Sequence, residues 1–219
     1  MTLELDPDRR LALAYAPAAV RPALEALWRL DVTFAAILAT GREPAVSQIK
    51  LAWWREALER LDREAPPPEP VLQALAAHVL PAGINGAALA ELEAGWVLLL
   101  PGDRIGHDSL AAYAAARGGL LFRFSAFLLG ASDTRAEQAG EGWALVDLAR
   151  HSRNPEEKAE AMTVAAARLE NWLWPRPLRP LGMLSALARR DIARGPAVLE
   201  RQGSPARMLR MIRHRLTGT

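Results

Sequence analysis

The chain has 219 residues, of which 51% are hydrophobic and 24% charged, with a formal net charge of +2; that length suits one domain with a substantial core, expected over residues 1–219, and is short for two. It contains no cysteine, which excludes disulfides, thiolate metal sites and a Cys nucleophile and points to a reducing, cytoplasmic setting. The balance of charged and apolar residues excludes a disordered or fibrous chain, and the abundance of Ala, Leu and Arg over β-branched residues points to an all-α protein.

Pro and Gly divide the sequence into about ten helical segments. The polar start MTLELDPDRR lacks the basic and apolar regions of a signal peptide, and its "DPD" suits the N-terminus of a first helix over Asp8–Tyr15. A second helix starts at Pro22 and ends at Gly41. Its Leu24, Leu27, Leu30, Phe34, Ile37 and Leu38 recur at helical spacing, so it is expected to be buried nearly all round. The third, VSQIKLAWWREALERLDRE, puts Ile49, Trp53 and Ala57 on one side and Leu51, Trp54, Leu58 and Leu61 on another, and both sides are expected to pack. The proline run PPPEP closes it and PVLQALAAHVL reopens a helix. Then come AALAELEAGWVLLL, a loop PGDRIGHD containing His107, and SLAAYAAARGGLLFRFSAFLLG. The last third reads as AEQAGEGWALVDLARH, PEEKAEAMTVAAARLENWLW, PLRPLGMLSALARRDIARG and SPARMLRMIRHRL. No segment repeats at a fixed period, and no apolar run approaches the roughly 20 residues that span a bilayer.

Charge is unevenly spread. Residues 1–149 carry 13 Lys and Arg against 19 Asp and Glu, whereas residues 150–219 carry 14 against 6. The basic C-terminal third reads as a solvated helix face, with a phosphate- or lipid-facing surface as the alternative. In its last segment Met208, Leu209, Ile212 and Leu216 form an apolar stripe among Arg207, Arg210, Arg213 and Arg215. A terminal helix docked on the bundle with its arginines in water is expected, peripheral contact with an anionic membrane is the alternative, and no nucleic-acid partner is expected.

Generic chemical motifs are absent: there is no phosphate loop, no dinucleotide fingerprint and no Gly-x-Ser-x-Gly elbow. His78, His107, His151 and His214 have no partner at helical spacing, so no metal site is expected. Trp28, Trp53, Trp54, Trp96, Trp143, Trp172 and Trp174 read as core before they read as ligand-pocket walls. The mid-helix pair Gly118-Gly119 implies close approach of a neighbouring helix or a ligand, because Gly costs about 1 kcal/mol relative to Ala there.

With the segments laid out, their order resembles the squalene/phytoene synthase family, all-α enzymes that condense two prenyl diphosphates head to head. Three stretches carry the resemblance: IKLAWWREALERL followed by PPPEPVLQALA; DSLAAYAAARGGLLFRF, with Tyr113 and Gly119 at the family's cavity-side Tyr and Gly; and GEGWALVDLARH, which retains Gly140, Leu145 and Arg150 of a family helix. The resemblance implies an isoprenoid-synthase-like bundle around an apolar cavity, and Mg²⁺ held by two aspartate-rich motifs on facing helices to neutralise the diphosphates.

Carried over residue by residue, the first motif falls on Ala35, Ala36, Ile37, Leu38 and Ala39, and the second on His151, Ser152, Arg153, Asn154 and Pro155. Neither contains a carboxylate, and the segment before the last helices is shorter than the family's. The reading is therefore a non-catalytic relative, similar to a branch known as respiratory complex I assembly factors. It would serve as a scaffold or binding protein for a protein partner or an isoprenoid-like lipid, without a cofactor. Its vestigial cavity residues would be Asp31, Tyr113, Gly119, Asp147 and Arg150. The alternative is an active prenyl transferase that uses Mg²⁺ on relocated acids such as Asp31, Asp103, Asp108 or Asp147, or on acids supplied by a paralogue.

Overall fold

Local chemistry sets most helix starts in the computed structural model, which describes residues 4–41, 43–100, 106–197 and 199–219. The α-helical segments are α1 (Pro7–Ala14), α2 (Arg21–Thr40), α3 (Pro44–Arg60), α4 (Pro70–His78), α5 (Gly86–Ala90), α6 (Leu92–Val97), α7 (His107–Tyr113), α8 (Leu120–Leu128), α9 (Thr134–His151), α10 (Pro155–Ala166), α11 (Arg179–Arg194) and α12 (Pro205–Thr217). Asp6, Asn154 and Ser204 accept hydrogen bonds from first-turn N–H groups of α1, α10 and α12, each followed by a proline that suits the first turn. Among the described residues there is no strand, and no helix is long and apolar enough to cross a membrane.

A π-helical turn over Ala114–Gly119 joins α7 to α8. It faces α9, which also packs on α8, α10 and α11, while α1 and α12 both lie on α11. The π turn and α9 meet backbone to backbone. A Cβ on Gly118 would stand 2.1 Å from the Gly140 carbonyl oxygen, and one on Gly140 would stand 2.2 Å from that of Gly118. Gly118 is thus the close-approach residue of the Gly pair; a Cβ on Gly119 would meet nothing nearer than the Glu141 Cγ at 3.5 Å.

The buried apolar side chains form one connected cluster, in which α2 contributes Leu24, Leu27, Trp28, Leu30, Phe34 and Ile37. Of the tryptophans, Trp28, Trp54, Trp96, Trp143 and Trp174 are buried, whereas Trp53 is exposed. Two expectations about faces are corrected. On α3 the side bearing Trp54 packs, edge-on to Phe34, but Val46, Ile49 and Trp53 remain exposed on the other side. On α12 the apolar stripe does not dock: Arg207, Met211 and His214 turn inward, and Leu209, Ile212 and Leu216 turn outward. The rotation follows from Arg207, which reaches Asp8 and Asp191 beneath the helix.

Boundaries differ too. The expected helix over residues 87–100 is divided between α5 and α6, and His107 opens α7 rather than lying in a loop. The helix expected through Trp174 ends at Ala166. Beyond it Leu169 covers Gly142, and the Trp174 N–H bonds the Gly218 carbonyl oxygen, so long-range contacts hold this stretch out of a helix.

Candidate functional site

The site is built on α2, the π turn and α9. Along α2, Asp31 lies one turn before Ala35 and two before Leu38, so these residues share a face. Ala35, Ala36, Leu38 and Ala39 line one wall of a cavity of about 670 Å³, and His151, Ser152 and Arg153 lie across it at the end of α9 and beyond. The two stretches matched to the aspartate-rich motifs therefore line the same cavity. Val32, Trp96, Leu99 and Leu148 add apolar surface, and Asp6, Arg9, Tyr113, Arg117 and Asp147 form an ionic floor.

Arg117 organises that floor. The π turn directs its side chain inward, where it is 1% exposed. Its Nε and Nη2 donate to Asp31 Oδ1 and Oδ2 at 2.8 and 3.0 Å, and Nη2 also donates to Asp147 Oδ2 at 2.7 Å. Nη1 donates to the Tyr113 hydroxyl. The guanidinium lies over the Trp96 ring, 4.2 Å from its centroid. Arg9, from α1, reaches Asp31 Oδ2 at 3.0 Å and Asp6 Oδ2 at 3.1 Å. Burial pushes the Tyr113 phenol up, so it stays protonated. Burial also works to raise the Asp147 carboxyl, but Arg117, then Arg9 and His151, hold it at about 2.

A second ionic group adjoins the first. Arg207 donates to Asp8 Oδ2 at 3.0 Å and to Asp191 Oδ1 at 2.6 Å. Arg150 donates to Asp191 Oδ2 at 3.2 Å and to the Glu200 carbonyl oxygen at 2.8 and 3.0 Å. A space of about 20 Å³, lined by residues of both groups, separates them; it is large enough for about one water molecule.

Of the residues singled out in the sequence, the structure brings Asp31, Tyr113 and Asp147 together around Arg117 and places Arg150 in the adjoining group. Gly119 lies beside Glu141, away from the cavity lining. Asp108 is exposed in the first turn of α7, and Asp103 lies outside the described residues. Arg9, Arg117, Asp191 and Arg207 escaped sequence reasoning. For Arg117 one sign was available: a lone charge in the small-residue run AAYAAARGG, which must be paired if buried.

Mg²⁺ needs several oxygen ligands converging without competing cations. Among the described residues no group of three or more His, Asp or Glu side chains is placed to hold a metal ion. Each carboxylate on the cavity already has a partner: Asp147 has Arg117, Asp6 has Arg9, Glu4 has Arg10 and Glu157 has the Ser152 hydroxyl. Among the described residues, this donor set does not fit a Mg²⁺ ion. Residues 4–163 match the squalene/phytoene synthase family. No curated protein and no solved structure matches the chain.

Proposed function

This chain belongs to the squalene/phytoene synthase family, and we propose that it has left the family's Mg²⁺-dependent condensation and acts as a non-catalytic binding protein whose cavity takes an isoprenoid-like lipid. One observation carries the reading. The two walls that would present metal-binding acids to each other present Ala35, Ala36, Leu38 and Ala39 on one side and His151, Ser152 and Arg153 on the other. Of the acids around them, Asp31 and Asp147 are bonded to Arg117, and Glu157 accepts from the Ser152 hydroxyl. A diphosphate is a poor leaving group unless its charge is neutralised, and among the described residues no free carboxylate cluster is placed to hold the ions that do so. Space for a ligand remains, because about 670 Å³ lies within the usual range for small-molecule sites.

Thermal shift with farnesol and with farnesyl and geranylgeranyl diphosphates, with and without Mg²⁺, tests this reading together with a diphosphate-release assay. The expected result is stabilisation by farnesol and by both diphosphates, unchanged by Mg²⁺ and without release. Mg²⁺-dependent stabilisation with release would restore the transferase alternative. A second reading, a scaffold in assembling a protein complex such as a respiratory complex, is supported by the exposed Val46, Ile49 and Trp53 on one side of α3. Substituting Ile49 and Trp53 with Ser would leave lipid binding intact and abolish capture of such a partner.

A further inference from the structure

We propose that the outward face of α12 docks on an anionic phospholipid bilayer, a role independent of what the cavity binds. The helix is amphipathic in the reverse of the usual sense. Its inward side is Arg207, Met211 and His214, all buried, while Leu209 (69% exposed), Ile212 (38%) and Leu216 (73%) stand outward at positions i, i+3 and i+7. Leu173, 66% exposed, lies beside the end of the same helix: a Cβ on Gly218 would be 3.0 Å from its Cδ1. Rotation about the helix axis cannot hide the stripe. Arg207 is tied to both Asp8 and Asp191, and turning the leucines inward would break a buried ion-pair group.

The charge around the stripe selects the occupant. Between Pro205 and Thr217 there are four Arg and no Asp or Glu. Arg213 is exposed on the outward side and makes no ion pair among the described residues. Arg210 sits close enough to Arg189, Arg190 and Arg213 that their repulsion, added to the larger effect of burial, lowers its pKa. A second copy of this face would bring like charges together, which opposes self-pairing, and a nucleic acid would leave the aliphatic stripe in water. A bilayer satisfies both parts: aliphatic side chains enter the headgroup–acyl boundary while guanidinium groups meet lipid phosphates.

Removing α12 is an unsuitable test, because Arg207 would go with it; exposed side chains are substituted instead. The full chain is sedimented with vesicles of phosphatidylcholine alone and of phosphatidylcholine mixed with phosphatidylglycerol. It is expected to pellet only with the mixed vesicles. Arg213→Gln weakens that binding about fivefold, the equivalent of about 1 kcal/mol for one basic residue at the surface. The double variant Leu209→Ser/Leu216→Ser weakens it by at least about tenfold, with an unchanged melting temperature because both positions are exposed. Failure of the full chain to pellet with anionic vesicles, or undiminished binding by the double variant, overturns the proposal. So does vesicle-free dimerisation that the double variant abolishes, which would give the face to a second copy.

Discussion

Replacing Arg117 with Met keeps much of the bulk between Trp96 and Tyr113 and deletes the charge that two carboxylates share. Asp31 retains Arg9 at 3.0 Å, but Asp147 loses its closest cation, the Arg117 Nη2 at 2.7 Å. Arg117 is 1% exposed and Asp147 13%, so water makes up only part of the lost interaction. Removing one member of a buried ion pair costs about 3–5 kcal/mol, which for a chain of this size corresponds to a fall of roughly 10 °C in melting temperature. Urea unfolding at pH 7, followed by circular dichroism, measures the cost. The pH dependence adds a sign. In the parent the Asp147 carboxyl is held down from 3.8 to about 2, so its contribution, about 2 kcal/mol, is present above about pH 4 and is lost as pH falls through 2. Arg117→Met lacks most of that contribution, so the stability gap between parent and variant narrows as pH drops from 5 towards 2. Adding Asp147→Asn to the variant removes the stranded carboxylate and recovers about 2 kcal/mol. An Arg117→Met protein within about 1 kcal/mol of the parent, with a gap independent of pH, would refute the view that these charges are mutually dependent.

Gly118→Ala and Gly140→Ala each drive a Cβ into a facing carbonyl oxygen and are expected to destabilise by about 2 kcal/mol or more, whereas Gly119→Ala is neutral or stabilising by up to about 1 kcal/mol; melting temperatures of the three variants test the contrast. His214, lowered from 6.5 to about 4 by burial and then by Arg210, is neutral in the fold. Its contribution is complete above pH 6.5 and is lost as pH falls towards 4, by roughly 3 kcal/mol. Unfolding measured across that range shows the loss in the parent and not in His214→Asn. Arg207→Met leaves Asp8 without its guanidinium partner and Asp191 with Arg150 alone and costs about 3–5 kcal/mol, and amide hydrogen exchange detects the accompanying loss of protection across α12.

The helical class, the starts of many helices and the apolar content of α2 could be read from the chain because each depends on neighbours in sequence. A proline in the first turn and an Asp, Asn or Ser before it act within three residues, and the α2 stripe repeats every turn. That residues 35–39 and 151–155 hold no carboxylate was readable for the same reason, since it needs only their identities. Tertiary structure decided where the charges went. Arg117 meets Asp31 across 86 positions and Arg207 meets Asp8 across 199, distances at which local periodicity carries no information. Those pairings overrode the pattern of α12, turning arginine and histidine inward and leucine outward. They did so because a buried guanidinium between two carboxylates is costly to break, while an aliphatic side chain in water costs only its own burial energy.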